Sequence, residues 1–212
     1  MPPIYFVAIA GNIGVGKSTL TELMSARLEW EPVYEAVDEN PYLSDFYADM
    51  ERWSFHSQAF FLARRLRQHA ALHHAARSVV QDRSVYEDAE IFAHNLYRQG
   101  RMSARDWATY YDLYQSLAAL LRPPDLVVYL RARVETLAAR IGGRGRDYEQ
   151  AVPQDYLEAL NRRYDEWISG FTLCPVLTVE TDNLNYVNDS ASLDRVIQRI
   201  QDRLHGKETL TL

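Results

Sequence analysis

Cysteine, lysine and long apolar runs are what this 212-residue chain has least of. One cysteine, Cys174, cannot close a disulfide within the chain, which excludes a disulfide-stapled secreted domain and fits a reducing compartment. No apolar run approaches the roughly 20 residues of a membrane-spanning helix. Residues 1–10 lack the basic start and small-residue cleavage site of a secretory signal, so the expected location is cytoplasmic. Cations are also outnumbered, 23 Lys and Arg against 29 Asp and Glu, for a formal net charge of −6. A surface of that sign does not attract polyanions, so neither a nucleic acid polymer nor an acidic membrane is expected as a partner. Repeats, low-complexity tracts and Gly/Ser/Pro linkers are missing too, and residues 1–212 are expected to form a single domain. Only two of the cations are lysines, Lys17 and Lys207. A lysine at a special place in so arginine-rich a chain points to a need for a compact point charge.

What is present is an ordinary globular composition, 47% hydrophobic and 25% charged, arranged as short apolar runs alternating with helical stretches. Ile4–Ala10, Pro32–Val37, Ser78–Gln81, Leu126–Leu130 and Pro175–Val179 have the pattern of strands, the second of them weaker. Lys17–Leu28, Trp53–Ala76, Tyr86–Arg98, Ser103–Leu121, Val134–Ile141, Pro153–Ile168 and Ser190–Leu204 have that of helices. A glycine- and arginine-rich break is expected at Gly142–Arg146. Five buried strands separated by helices predict an α/β fold, a five-stranded parallel sheet with helices on both faces. Ligands of such sheets sit beyond the carboxyl ends of the strands.

The unusual residues fall at those ends. Gly11-Asn12-Ile13-Gly14-Val15-Gly16-Lys17-Ser18 matches G-x-x-x-x-G-K-[ST] without a departure, between a predicted strand and a predicted helix. The glycines let successive main-chain N–H groups turn toward phosphate oxygens, and the first turn of the helix, with Thr19, adds its partial positive charge. Lys17 can reach the β- and γ-phosphates of a nucleotide such as ATP, and the Ser18 hydroxyl can ligate Mg²⁺. The [NT]-K-x-D segment with which GTPase switches read guanine is missing, since neither lysine has that context. The chain is too short for a motor or transporter ATPase, which leaves a small kinase.

Four further segments carry a resemblance: 34–42 (Tyr-Glu-Ala-Val-Asp-Glu-Asn-Pro-Tyr); 51–55 (Glu-Arg-Trp-Ser-Phe) with Gln58 and Arg65; 82–88 (Asp-Arg-Ser-Val-Tyr-Glu-Asp); and 144–150 (Arg-Gly-Arg-Asp-Tyr-Glu-Gln). With the phosphate loop, these resemble the deoxynucleoside kinase family in order and spacing, from roughly Ile4 to Trp167. The segment Asp82 to Gly100 is most similar to bacterial purine deoxynucleoside kinases.

The resemblance implies transfer of the γ-phosphoryl of ATP, or another nucleoside triphosphate, to the 5′-hydroxyl of a deoxynucleoside. Deoxyadenosine or deoxyguanosine is expected first, with deoxycytidine compatible. Such a transfer rests on positioning and charge neutralisation. By resemblance Glu35 is the carboxylate that orients the hydroxyl and takes its proton. Asp38 and Glu39 remain rivals, because Ala36 stands where many relatives have proline. Arg83 would neutralise phosphate charge and Asp82 would hold Mg²⁺ through water. Gln58, Arg65 and Asp88 would read the base, since an Arg–Asp pair suits an amine-bearing base and leaves thymine unserved; Phe92 would stack on it. Tyr47 and Glu149 match the residues that hold the 3′-hydroxyl. Arg140, Arg144 and Arg146 around Gly142, Gly143 and Gly145 look like the family's lid, at about 142–150. The family further implies a homodimer and inhibition by a deoxynucleoside triphosphate. Two rivals are a nucleoside monophosphate kinase and a non-catalytic nucleotide-sensing subunit. His69, His73 and His74 are expected on a solvated helix face rather than at a metal, and Cys174 as a small buried hydrophobe.

Overall fold

In the computed structural model, residues 3–34, 39–72, 75–144 and 152–205 are described, with the backbone alone at Arg144. Five strands, β1 (Phe6–Gly11), β2 (Glu31–Val33), β3 (Val79–Asp82), β4 (Leu126–Arg131) and β5 (Val176–Glu180), pair in parallel in the order β2-β3-β1-β4-β5. The helices are α1 (Lys17–Leu28), α2 (Leu43–Ala48), α3 (Met50–Ala71), α4 (Val85–Glu87), α5 (His94–Arg98), α6 (Ala104–Ala118), α7 (Val134–Arg144), α8 (Gln154–Gly170) and α9 (Ser190–His205).

Side-chain alternation along β1 and β4 builds two cores. Val7 and Ile9, with Leu126, Val128 and Leu130, face Leu20 and Met24 of α1, Leu137 of α7 and Ile197 and Ile200 of α9. On the reverse face the small Ala8 and Ala10, with Val127, leave room for Trp167 and Ile168 of α8 and for Phe171 just after it. All six residues of β1 are buried, as a central parallel strand requires. Local signals fix several boundaries: the Asp49 side chain caps α3 by accepting from Arg52 N, and Ser103 caps α6 by accepting from Asp106 N at 3.1 Å.

The five strands exist and pair in parallel as expected, and α1 has the expected span. Two bounds differ most: β2 is Glu31–Val33, with Tyr34 already outside the strand expected over Pro32–Val37, and α3 is Met50–Ala71 where a helix over Trp53–Ala76 was expected. Four further details differ. The short helix α2 follows the Asn40-Pro41 breaker, where none was expected. Between α4 and α5 the stretch Asp88–Ala93 is π-helical, so one expected helix is three pieces. α7 continues through Gly142 and Gly143 to Arg144, so the break expected from Gly142 does not begin there; a Cβ at either glycine would meet nothing within 4 Å, so no close approach calls for a glycine there. His69 is not on a solvated face: it is 1% exposed, its Nε2 lies 2.6 Å from the Arg122 carbonyl oxygen and its ring packs edge-on to Phe6. His73 and His74 fall outside the described residues.

Gly11 ends β1 at φ +145, and a Cβ there would stand 2.5 Å from the Leu130 carbonyl oxygen of the neighbouring strand. Backbone cannot yield as a side chain can. Gly11→Ala is therefore expected to destabilise the fold by about 2–4 kcal/mol, read as a lowered midpoint in urea unfolding.

Candidate active site

The loop between β1 and α1 lines a cleft of about 710 Å³ with residues 14–19, closed on the far side by Arg140 and by residues 182–187 after β5. Gly14 and Gly16 hold φ of +79 and +107, the left-handed region that glycine alone adopts without cost, and α1 starts directly from Gly16. The first N–H groups of a helix have no intrahelical acceptor, so this turn presents donors to the cleft. Asn12, 2% exposed, braces the loop from behind: its Nδ2 donates to Leu157 O at 2.9 Å and to Asn161 Oδ1 at 2.7 Å, and its Oδ1 accepts from Ile13 N. Lys17 Nζ donates to Asn12 O at 3.0 Å, which holds the ammonium over the loop. Tyr186 contributes a hydroxyl that donates to Gly16 O at 3.2 Å, and burial pushes its phenol up to about 12.

Arg140 reaches the same cleft, with its guanidinium fixed by main chain. Its Nη1 donates to Val15 O at 3.0 Å and to Thr181 Oγ1 at 3.1 Å, and its Nη2 to Thr181 O at 2.6 Å. That geometry ties α7 to the phosphate loop and to the end of β5.

Beside the loop, β3 ends in Asp82 and Arg83. The Ser18 hydroxyl donates to Asp82 Oδ2 at 2.5 Å, while Asp82 Oδ1 is buried with no hydrogen-bond partner among the described residues. A hydroxyl and a carboxylate with an unserved oxygen, at the mouth of a phosphate loop, are a donor set that suits Mg²⁺. Arg83 has φ +67, uncommon for a residue with a side chain, and its N–H still donates to Ile9 O at 3.0 Å. Its Cζ sits 4.2 Å from the centroid of the Phe92 ring, and its Nη1 donates to the Tyr164 hydroxyl at 3.1 Å.

The π-helical stretch carries both Asp88, which is buried, and Phe92. Arg65 Nε donates to Asp88 Oδ2 at 3.1 Å and Arg65 Nη1 to Asp82 O at 3.0 Å, so one guanidinium links α3 to the end of β3. Gln58, one stretch earlier on the same face of α3, is 4% exposed, Arg65 2% and Asp88 3%. None of them is polar surface. Phe92 and Tyr47 are half-buried. Glu39 is exposed and pairs with Arg64 at 2.7 Å, which turns it to solvent. Glu35, Asp38, Arg146 and Glu149, and the side chain of Arg144, lie outside the described residues.

Three parts of the site had no assigned role in the sequence: residues 182–187, Tyr164 and Glu87. Glu87 is fully buried; its Oε1 accepts from Gly11 N at 3.2 Å and its Oε2 from Ser84 N at 2.8 Å. Burial pushes its carboxyl above the usual range, and the Arg83 and Lys17 charges oppose that. The spacing Ser84-x-x-Glu87 is a capping box, the one signal that could have drawn attention to it. Cys174 is half-buried rather than fully buried, and burial lifts its thiol to about 11.

The family model for deoxynucleoside kinases matches residues 7–205. The deoxyadenosine/deoxycytidine kinase of Bacillus subtilis is 39% identical over 98% of this chain and 97% of its own length. The deoxyguanosine kinase of Lactobacillus acidophilus is 34% identical over 93% and 90%. Among solved structures, the deoxyadenosine kinase of M. mycoides with bound dATP superposes with a TM-score of 0.81 at 29% identity, covering 93% of this chain and 99% of that one.

The buried Arg65–Asp88 pair supports a stability prediction. Arg65→Met removes the cation against which Asp88 is buried and is expected to cost about 3–5 kcal/mol in denaturant unfolding. The double variant Arg65→Met/Asp88→Leu is expected to recover most of that loss.

Proposed function

The chain belongs to the deoxynucleoside kinase family, and on that premise we propose that it transfers the γ-phosphoryl of ATP, or another nucleoside triphosphate, to the 5′-hydroxyl of a deoxynucleoside bearing an amine on its base. Deoxyadenosine and deoxyguanosine are the preferred acceptors. Deoxycytidine is a second acceptor in this reading, in keeping with a relative described as both a deoxyadenosine and a deoxycytidine kinase.

The observation that carries the reading is the juxtaposition of two sites. The phosphate loop follows β1 and Arg83 follows its sheet neighbour β3, and the Arg65–Asp88 pair is tied to the same Asp82-Arg83 turn through the Asp82 carbonyl. The donor's phosphates would lie on the amides of the loop, with Lys17 on the β- and γ-phosphates and Arg140, Arg144 and Arg146 closing over them. The 5′-oxygen attacks the γ-phosphorus, the bond from that phosphorus to the bridging oxygen breaks, and the nucleoside diphosphate leaves. The hydroxyl proton passes to Glu35, while Arg83 balances charge on the transferring group. Ser18 and Asp82 would hold Mg²⁺, which supplies charge neutralisation on the phosphates. Asp88, fixed by Arg65, accepts from the exocyclic amine, Gln58 takes the adjoining edge of the base, and Phe92 packs on its face. Tyr47 and Glu149 hold the 3′-hydroxyl.

A homodimer is part of the same proposal. Leu113, Leu117 and Leu120 line one side of α6 and its end at 47%, 38% and 75% exposure, an apolar stripe that a second copy would cover. Inhibition by a deoxynucleoside triphosphate would follow if one molecule filled acceptor and phosphate sites together. No helix among the described residues is long and apolar enough to cross a membrane, and we place the protein in the cytoplasm.

A coupled assay with ATP and each deoxynucleoside and monophosphate tests the reaction. Turnover is expected with deoxyadenosine, deoxyguanosine and deoxycytidine, with thymidine lower by about 100-fold or more, since it leaves a buried carboxylate unserved. Lys17→Ala or Glu35→Gln is expected to remove at least about 99% of turnover. Turnover with monophosphates alone would identify a nucleoside monophosphate kinase, and triphosphate binding without transfer a sensing subunit. Light scattering is expected to give twice 24.5 kDa, with Leu117→Arg shifting it toward the monomer.

A further inference from the structure

The hydrogen-bond ladder between β1 and β3 runs from Phe6 opposite Val79 to Ile9 opposite Asp82, and its last rung is Arg83 N–H to Ile9 O. Beyond that rung each strand continues for the two residues that matter most. β1 runs on into Gly11 and the phosphate loop, and β3 into Arg83 and Ser84. A gap of this kind would ordinarily let the two segments move apart. Here it is filled by one side chain. Glu87 Oε1 accepts the Gly11 N–H at 3.2 Å and Glu87 Oε2 accepts the Ser84 N–H at 2.8 Å, with the Ser84 hydroxyl 3.2 Å from the same oxygen. The Tyr164 hydroxyl joins the same bridge. It lies 2.8 Å from Glu87 Oε1 and 2.7 Å from Gly11 O, and it accepts from Arg83 Nη1 at 3.1 Å.

Three features set this apart from incidental packing. Glu87 is 0% exposed, and burying a carboxylate costs several kcal/mol unless nearby charges and donors offset it. The offsetting cations are Arg83 and Lys17, the two residues to which the proposed function gives the phosphates. Ser84 N–H follows Arg83, whose left-handed backbone is strained for a residue with a side chain and persists only if its neighbours enforce it. And the bridge needs acceptors on both sides: a glutamine has one oxygen and one NH₂, so in either orientation it turns a donor toward one of the two amides.

We propose that Glu87 is a positioning residue for phosphoryl transfer: its two carboxyl oxygens continue the β1–β3 ladder past its last rung, and with Tyr164 they fix the spacing between the main-chain phosphate cradle and the Arg83 guanidinium. Glu87 touches neither substrate in this arrangement and acts through Gly11 and Arg83. The inference rests on the kinase reading, because a fixed spacing matters only if cradle and guanidinium grip one transferring group. A displacement of a fraction of an ångström there reduces transfer while leaving the nucleoside pocket on Arg65 and Asp88 intact.

The test is steady-state kinetics of Glu87→Gln and Tyr164→Phe, with kcat expressed per deoxynucleoside-binding site counted by calorimetry. Glu87→Gln is expected to lower kcat at least about tenfold, with the KM for deoxyadenosine changed less than about threefold. Tyr164→Phe, which retains both carboxyl–amide bonds, is expected to lower kcat about threefold, and it decides the matter if Glu87→Gln fails to fold. A purely structural role would reduce the number of binding sites and leave kcat per site unchanged. That result, or rates within twofold of the wild type in both variants, overturns the proposal. A wild-type protein that transfers phosphate to no deoxynucleoside would instead overturn the kinase reading.

Discussion

The register of β1 against β3, with Ile9 opposite Asp82, brings two carboxyl-edge turns side by side. One turn carries the phosphate loop and Lys17, the other Asp82 and Arg83. No other pair of strands in the order β2-β3-β1-β4-β5 could do this, because β1 and β3 are sheet neighbours although a long helix and more than one turn separate them in the chain. That adjacency lets Ser18 meet Asp82, and it lets Arg65, reaching from α3, hold both Asp82 O and Asp88. The phosphate loop and the Arg65–Asp88 pair thus meet at one turn.

Keeping that turn rigid means burying charge. Asp82, Arg83, Glu87, Asp88 and Arg65 are all between 0% and 4% exposed. An isolated charge is costly at such depth, and four of the five are set against opposite charges: Arg65 against Asp88, and Glu87 against Arg83, with Lys17 beside it. Fixed dipoles and charges in a dry site need no rearrangement when phosphate charge arrives, which is the condition for electrostatic catalysis. The apolar cores on either side of the sheet supply the stiffness. β1 and β4, buried on both faces, cannot tilt to relieve strain at their ends.

The sequence was most legible where one residue type answers one physical need. The strand, glycine loop and α1 were readable because glycines at positive φ and a lone lysine have few other uses. Gln58, Arg65 and Asp88 enter through the resemblance, and all three are buried in the structure. Glu87 is legible only through its Ser84 capping box, because its other partner is the main-chain amide of Gly11, and no side-chain pattern announces a backbone partner 76 residues away. Tyr164 looked like one aromatic among many. His69 was placed on the surface from its helical spacing, while its fate was decided by the Arg122 carbonyl and the Phe6 ring, both distant in sequence. Gly142 and Gly143 read as a break in the sequence, yet glycine inside a helix costs only about 1 kcal/mol apiece, which the apolar face of α7 on the first core outweighs.

The most direct test of the account is a crystal structure with ADP and deoxyadenosine bound together. The account predicts the β-phosphate on the main-chain amides of residues 14–18, the adenine amine on the Asp88 carboxylate, and the 5′-oxygen facing the empty γ-position beside Arg83 and Glu35. A nucleoside bound with its base away from Arg65 and Asp88, or with its 5′-oxygen turned from the loop, would contradict it.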